Sequence, residues 1–214
     1  MPDPSEDSNV EELILCGAAE AARSQRGTVD GQHPSGEEAY APAPSSEASI
    51  ASPWLASADN GGKFGVLELF SGQGGFAQEV RRRVPGAHVV GALDVYEGWD
   101  ITTPEGFSAA LRASDEAEFC HLAVPCKSFT RARRKDTHGT VPVVRNDERP
   151  GGWGHPAADS GNDIAKRAVA IASRMAQRRR WWSIENPADS FLFDYAPVAE
   201  LARTTGATEV FLEQ

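Results

Sequence analysis

The sequence predicts an α/β domain, a largely parallel sheet flanked by helices, behind an acidic N-terminal region. Three observations carry this expectation. Short apolar runs at Phe64–Phe70, His88–Leu93, Phe119–Val124 and Trp181–Ile184 alternate with stretches of helical periodicity. Several of these runs stop at glycine, proline or an acidic residue, as strands ending in functional loops do. Composition also changes near residue 62, from a Ser-, Pro-, Ala- and Glu-rich segment to a pattern that can bury a core.

The region 1–62 is expected to be mostly disordered. Residues 1–8 read as a leader. From Asn9 to Arg23, Val10, Leu13, Ile14, Gly17 and Ala18 fall at helical spacing, which predicts a short helix over 9–23. Gly27 to Gly62 reads as a flexible linker. Residues 1–60 hold eleven acidic side chains against Arg23 and Arg26, so nearly all of the formal charge of −10 lies there. The remainder is near neutral, and the acidity does not exclude a nucleic-acid partner. Three cysteines without framework spacing point to a reducing compartment, nucleus or cytoplasm. No apolar run reaches the length of a membrane span, and no secretory signal opens the chain.

The folded body, residues 63–214, begins with a strand over Phe64 to Phe70. Ser71-Gly72-Gln73-Gly74-Gly75 follows as a tight turn, then a helix from Phe76 to Val84. Glycines let the backbone turn sharply and admit a ligand closely, and the helix N-terminus offers free amides. A plain turn is the alternative. The next strand ends at Asp94, which suits either ribose hydroxyls or an ordinary turn. Asp100, before Ile101, either bonds an adenine amino group or caps the helix predicted over Glu105 to Arg112.

The strand Phe119 to Val124 ends at Pro125-Cys126. Proline suits a strand end, and a thiol presented there is either a nucleophile or a small apolar filler. Lys127, Arg131, Arg133, Arg134 and Lys135 surround it. Such cations contact phosphates and favour thiolate, or form a solvated charge run. Residues 136–161 read as a long loop near the site. Asp163 suits the N-terminus of a helix through Ile164, Ala168, Ile171, Ala172 and Met175. The strand Trp181 to Ile184 carries Glu185-Asn186-Pro187 at its end, a second strand-end carboxylate. Phe191 to Thr205 reads as mostly helical, and Thr208 to Leu212 as a strand.

Together these pieces resemble the cytosine carbon-5 DNA methyltransferase family. The stretch Leu67-Glu68-Leu69-Phe70-Ser71-Gly72-Gln73-Gly74-Gly75-Phe76 is similar to the family's first motif. Pro125-Cys126-Lys127-Ser128-Phe129-Thr130 is similar to its nucleophile motif, and Glu185-Asn186 to its Glu-Asn pair. The resemblance covers residues 64–214, the N-terminal part of the family's fold. Gln is usual where Lys127 stands and Val where Pro187 stands. The later arginine-bearing motif, the recognition region and the closing helix have no counterpart before Gln214.

The resemblance implies a Rossmann-like fold and methyl transfer from S-adenosylmethionine to carbon 5 of cytosine in DNA, with RNA as the alternative. Cys126, Glu185 and Asn186 then serve catalysis. Leu69, Phe70, Ser71, Gly72, Gln73, Gly74, Gly75, Asp94, Asp100, Ile101 and Pro125 hold the cofactor. Lys127, Ser128, Arg131, Arg133 and Arg134 face the nucleic acid. No metal is implied. Other readings compete: a methyltransferase-like module that binds without transferring, a dinucleotide-dependent oxidoreductase, which leaves Cys126 and Glu185 without roles, and an amino-group methyltransferase, which normally carries a proline-proline-aromatic strand end where this chain has Pro125-Cys126.

Overall fold

A computed structural model describes residues 11–17, 64–131 and 142–213 of the chain. The expected linker and the cations Arg133, Arg134 and Lys135 lie outside the described residues. The elements run β1 (Glu11–Gly17), β2 (Phe64–Leu69), α1 (Gly75–Arg83), β3 (Ala87–Leu93), α2 (Pro104–Glu116), β4 (Phe119–Ala123), α3 (Pro156–Gln177), β5 (Trp181–Pro187), α4 (Phe191–Asp194), α5 (Ala196–Thr205) and β6 (Thr208–Glu213).

The architecture is α/β, around a six-stranded sheet in the order β3-β2-β4-β5-β1-β6. The expectation of a mostly parallel sheet is corrected. Strands β3, β2, β4 and β5 pair in parallel, but β1 pairs antiparallel with both β5 and β6, so the sheet is mixed. The helix predicted over 9–23 is corrected with it, because Glu11–Gly17 is a strand. Leu13-Ile14-Leu15-Cys16 is an unbroken apolar run, which suits a strand with neighbours on both sides. Periodicity alone does not separate such a run from a helix.

Side chains alternate across each strand, and the register sorts the sheet into two faces. Leu67 and Leu69 of β2, Cys120 and Leu122 of β4, and Trp182 and Ile184 of β5 join one buried core. Helix α3 adds Ala165, Ala168, Ile171, Ala172 and Met175 to it, with Ala110 of α2 and Val198 and Leu201 of α5. By the same alternation the opposite face carries Glu68, His121, Ser183 and Glu185. Helix α1 covers this face in part, where Phe76 packs on His121 and Phe119.

Helix α3 starts earlier than its sequence suggests. Pro156 opens it, and the His155 side chain accepts from the amide of Ala157 at 3.1 Å. Gly161, read from sequence as the end of the loop, therefore sits inside the helix. Gly161 is there for space: a Cβ on it would stand 2.0 Å from Ser128 Oγ. Helix α2 is capped by Thr103, whose Oγ1 accepts from the amide of Gly106 at 3.0 Å, so Asp100 is not its cap.

Candidate functional site

Strand β2 hands over to α1 through the glycine turn. Phe70, Gly72 and Gly74 all adopt positive φ, at 62°, 52° and 70°. Glycine takes that geometry freely, whereas Phe70 stores roughly 1 kcal/mol or more of strain. The N-terminus of α1 has no side-chain cap at Gly74. Glu68 supplies one from the strand instead, its Oε2 accepting from the amide of Ala77 at 2.8 Å. Burial pushes the Glu68 carboxyl up, and the amides of Ala77 and Phe76 pull it back.

A cavity of about 340 Å³ opens at the carboxyl ends of β2 and β3. Leu69, Phe70, Asp94, Asp100, Ile101 and Pro125, all expected as cofactor residues, line it. Ser71, Gly72, Gln73, Gly74 and Gly75 form the adjoining turn, tied in by the Gly72 amide, which donates to Asp94 Oδ2 at 3.0 Å. Asp94 Oδ1 accepts from the amide of Tyr96 at 3.0 Å and starts a 3₁₀ turn, Val95–Glu97. Asp94 is thus buried and held by two amides. Asp100 Oδ1 accepts from both the amide and the hydroxyl of Thr102, at 2.8 and 2.7 Å. Those bonds, with Arg167 further off, hold its carboxyl below the usual range. Tyr96, Trp99 and Ile164 also line the cavity, and no motif marks them.

Beside this cavity, Cys126–Ser128 forms a 3₁₀ turn after Pro125, and Cys126 is exposed. Register pairs Ala123 of β4 with Glu185 of β5, so thiol and carboxylate belong to neighbouring strand ends. The Cys126 thiol is pushed up, first by the protein atoms around it and also by the Glu185 charge. No cation among the described residues lowers it, and Arg133, Arg134 and Lys135, also expected to favour thiolate, lie outside them. Asn186 is fully buried, and its Nδ2 donates to the Val124 carbonyl at 2.5 Å. That bond ties the two strand ends together directly before Pro125. Asn186 Oδ1 is buried without a partner among the described residues.

Arg145 is a residue that motif reading misses. It is 1 % exposed and stacks over Phe129, 3.8 Å from the ring centroid. Its Nε donates to the Ser128 carbonyl at 2.9 Å and its NH2 to Ser128 Oγ at 3.2 Å. Further bonds reach Pro150 O, Asn162 Oδ1 and Ala158 O, at 2.6, 2.8 and 2.9 Å. One guanidinium therefore fixes the cysteine turn against α3 and the loop before it. The five donors of arginine make such a junction feasible.

The expected nucleic-acid residues separate. Lys127 is exposed beside Cys126. Ser128 is buried and bonded to Arg145, so it does not face a ligand. Arg131 is held by Asp147 and Asp194 and lies over the Phe191 ring, which commits it to the fold. Arg133 and Arg134 lie outside the described residues. Among the described residues no cluster of three His, Cys, Asp or Glu side chains is set to hold a metal ion. No helix among them is long and apolar enough to cross a membrane. No protein-family model, curated protein or solved structure matches the chain.

Proposed function

We propose that this chain is a Rossmann-like methyltransferase that uses S-adenosylmethionine and acts at carbon 5 of cytosine in DNA through Cys126. The observation that carries the reading is the meeting of Cys126 and Glu185. They belong to neighbouring strand ends, Ala123 of β4 standing opposite Glu185 of β5 three residues before the cysteine. The cavity lined by Leu69, Phe70, Asp94, Asp100, Ile101 and Pro125 adjoins them. Its size lies in the range of small-molecule sites, and its apolar walls with two carboxylates suit a purine, a ribose diol and a cationic sulfonium. Asp94 and the glycine turn would hold the ribose side, and Asp100 and Ile101 the adenine side. S-adenosylmethionine supplies an electrophilic methyl group.

The protein's own part is to make carbon 5 reactive. The Cys126 thiolate adds to carbon 6, forming a carbon–sulfur bond and sending the ring's electron pair to carbon 5. Glu185, protonated or sharing a proton, hydrogen-bonds ring nitrogen 3 and stabilises the charge that develops there. Once carbon 5 is methylated, loss of its proton and expulsion of the thiolate restore the ring. Asn186 and Arg145 position the turn that carries the sulfur. The target base must leave the duplex stack to reach it.

One observation favours the second reading, a module that binds without transferring. Among the described residues the thiol is pushed up rather than down, chiefly by burial, so those surroundings do not favour thiolate. Incubation with methyl-labelled S-adenosylmethionine and cytosine-containing DNA separates the two. Label in carbon 5 of cytosine, lost in Cys126→Ser with cofactor affinity retained, is the expected result. Cofactor binding without label in DNA or RNA overturns the enzyme reading. Equal loss of cofactor binding in Cys126→Ser overturns the assigned role of the sulfur.

A further inference from the structure

Residues 142–155 lead into α3, and hydrogen bonds fix their path. Arg145 Nη1 donates to the Pro150 carbonyl at 2.6 Å, and Asn162 Nδ2 to the Gly151 carbonyl at 2.7 Å. Asn146 Oδ1 accepts from the amide of Arg149 at 2.8 Å, and the Arg149 carbonyl from the amide of Gly152 at 2.9 Å. Gly152 packs where no side chain fits: a Cβ on it would stand 2.7 Å from the Val144 carbonyl oxygen and 2.8 Å from Ala158 Cβ. Gly152 and Gly154 take positive φ, at 76° and 84°, so Trp153 is carried between two turns that glycine permits. Trp153 is nevertheless 46 % exposed and stays outside the buried core. Lys127 in the cysteine turn and Arg149 in this loop are exposed cations, whereas Asp147 is engaged by Arg131.

We infer that Trp153 is a platform on which an unpaired base of the substrate stacks, with Lys127 and Arg149 contacting phosphates of the same strand. The inference rests on the nucleic-acid reading above and names its substrate class, single-stranded nucleic acid. Three features support it. The loop of Trp153 belongs to the end of the sheet that carries Cys126, because one guanidinium, Arg145, bonds both the Ser128 carbonyl of the cysteine turn and the Pro150 carbonyl of the loop. The loop is already ordered, so stacking on it costs little further loss of freedom. A lone exposed apolar side chain is ordinary on a surface, but this one is held in place, and exposed cations stand on the same loop and on the turn it is tied to. Aromatic faces combined with cations are what tracks a single strand, since every base has a π face. In a duplex those faces are covered by the neighbouring pairs, so the platform selects unpaired bases. A single-stranded substrate also spares the cost of drawing the target cytosine out of a duplex.

The test is fluorescence anisotropy on the full chain, with a dye-labelled, cytosine-containing DNA strand of mixed sequence, alone and paired to its complement. The single strand is expected to bind more tightly than the duplex. Trp153→Ala should weaken single-strand binding about tenfold or more, and Trp153→Phe should keep most of it. Duplex binding, the affinity for S-adenosylmethionine and the midpoint of urea unfolding should not move in Trp153→Ala. Arg149→Ala should lower the slope of log affinity against log salt by about 0.7, whereas Trp153→Ala should leave that slope in place. Single-strand binding that is unchanged in Trp153→Ala overturns the platform and leaves the nucleic-acid reading standing. Equal weakening on strand and duplex, with a lowered unfolding midpoint, assigns Trp153 to the fold and overturns the platform likewise. A duplex that is bound more tightly than the strand, and methylated, overturns the single-stranded class and leaves the enzyme reading standing. Binding of neither form by the wild-type chain overturns the platform and the nucleic-acid reading together.

Discussion

Cys126 faces solvent, yet its thiol is held above its ordinary value, and Glu185 contributes to that. The sign is simple: a nearby negative charge disfavours thiolate. Alkylation of Cys126 by iodoacetamide should therefore rise with pH about a midpoint above that of an unperturbed thiol. Glu185→Gln removes the charge and should move the midpoint down; an unmoved midpoint would mean the two groups do not interact. His121 makes the opposite kind of prediction, on stability. Its folded value near 4 lies below the ordinary 6.5, so the unfolded chain binds the extra proton between those limits. Stability is complete above pH 6.5 and is lost as pH falls through about 4, by about 3 kcal/mol in all. Glu68, opposite His121 on β2, is raised by burial and acts in the reverse direction, losing stability as pH rises through its folded value. The difference between wild type and His121→Phe in urea unfolding at pH 7 and pH 4.5 isolates the histidine. A constant difference across that range would refute its buried, neutral state.

At the level of elements, what could be read from the sequence was what is local. The glycine turn, the strand ending at Pro125-Cys126 and the strand carrying Glu185-Asn186 each declare themselves within a few residues. Arg145 does not, because its worth lies in acceptors drawn from Ser128, Pro150, Ala158 and Asn162, which only the fold gathers. Gly161 misleads for the same reason. A glycine marks a helix boundary by propensity, and replacing it with alanine inside a helix ordinarily stabilises by about 1 kcal/mol. Here a Cβ meets Ser128 Oγ at 2.0 Å and Ser128 Cβ at 3.1 Å, so the hydroxyl must leave its bond to Arg145. Gly161→Ala should destabilise by about 1–3 kcal/mol despite the better propensity. Pairing it with Ser128→Ala, which removes the clashing oxygen, should recover most of that loss in a double-mutant cycle. Additive losses in thermal unfolding would show that the two residues do not touch.

For the molecule as a whole, the decisive element is the strand whose sequence is least informative. β1 is far in sequence from every strand but completes the sheet between β5 and β6, so β6 is joined to the rest only through it. No window of sequence contains that pairing, and a short apolar run reads equally well as one turn of an amphipathic helix. Gly17 gives the arrangement a specific signature. It lies opposite Trp182, and a Cβ there would come within 2.3 Å of the indole. Trp182 is among the largest fully buried side chains and cannot move without opening the core beneath β5. Gly17→Val should therefore expel β1, whereas an exposed helix would gain from losing a glycine. The expected cost is at least about 2 kcal/mol, the scale of unburying one large apolar side chain. Amide hydrogen exchange should quicken in β6 together with β1, while β2, β3 and β4 keep their protection, since their pairings do not pass through the lost strand. Unchanged exchange in β6, or a higher midpoint of unfolding in Gly17→Val, would remove β1 from the sheet. Ile14 would then have no place opposite Glu185, and the cavity over His121 and Ser183 would lose its outer wall.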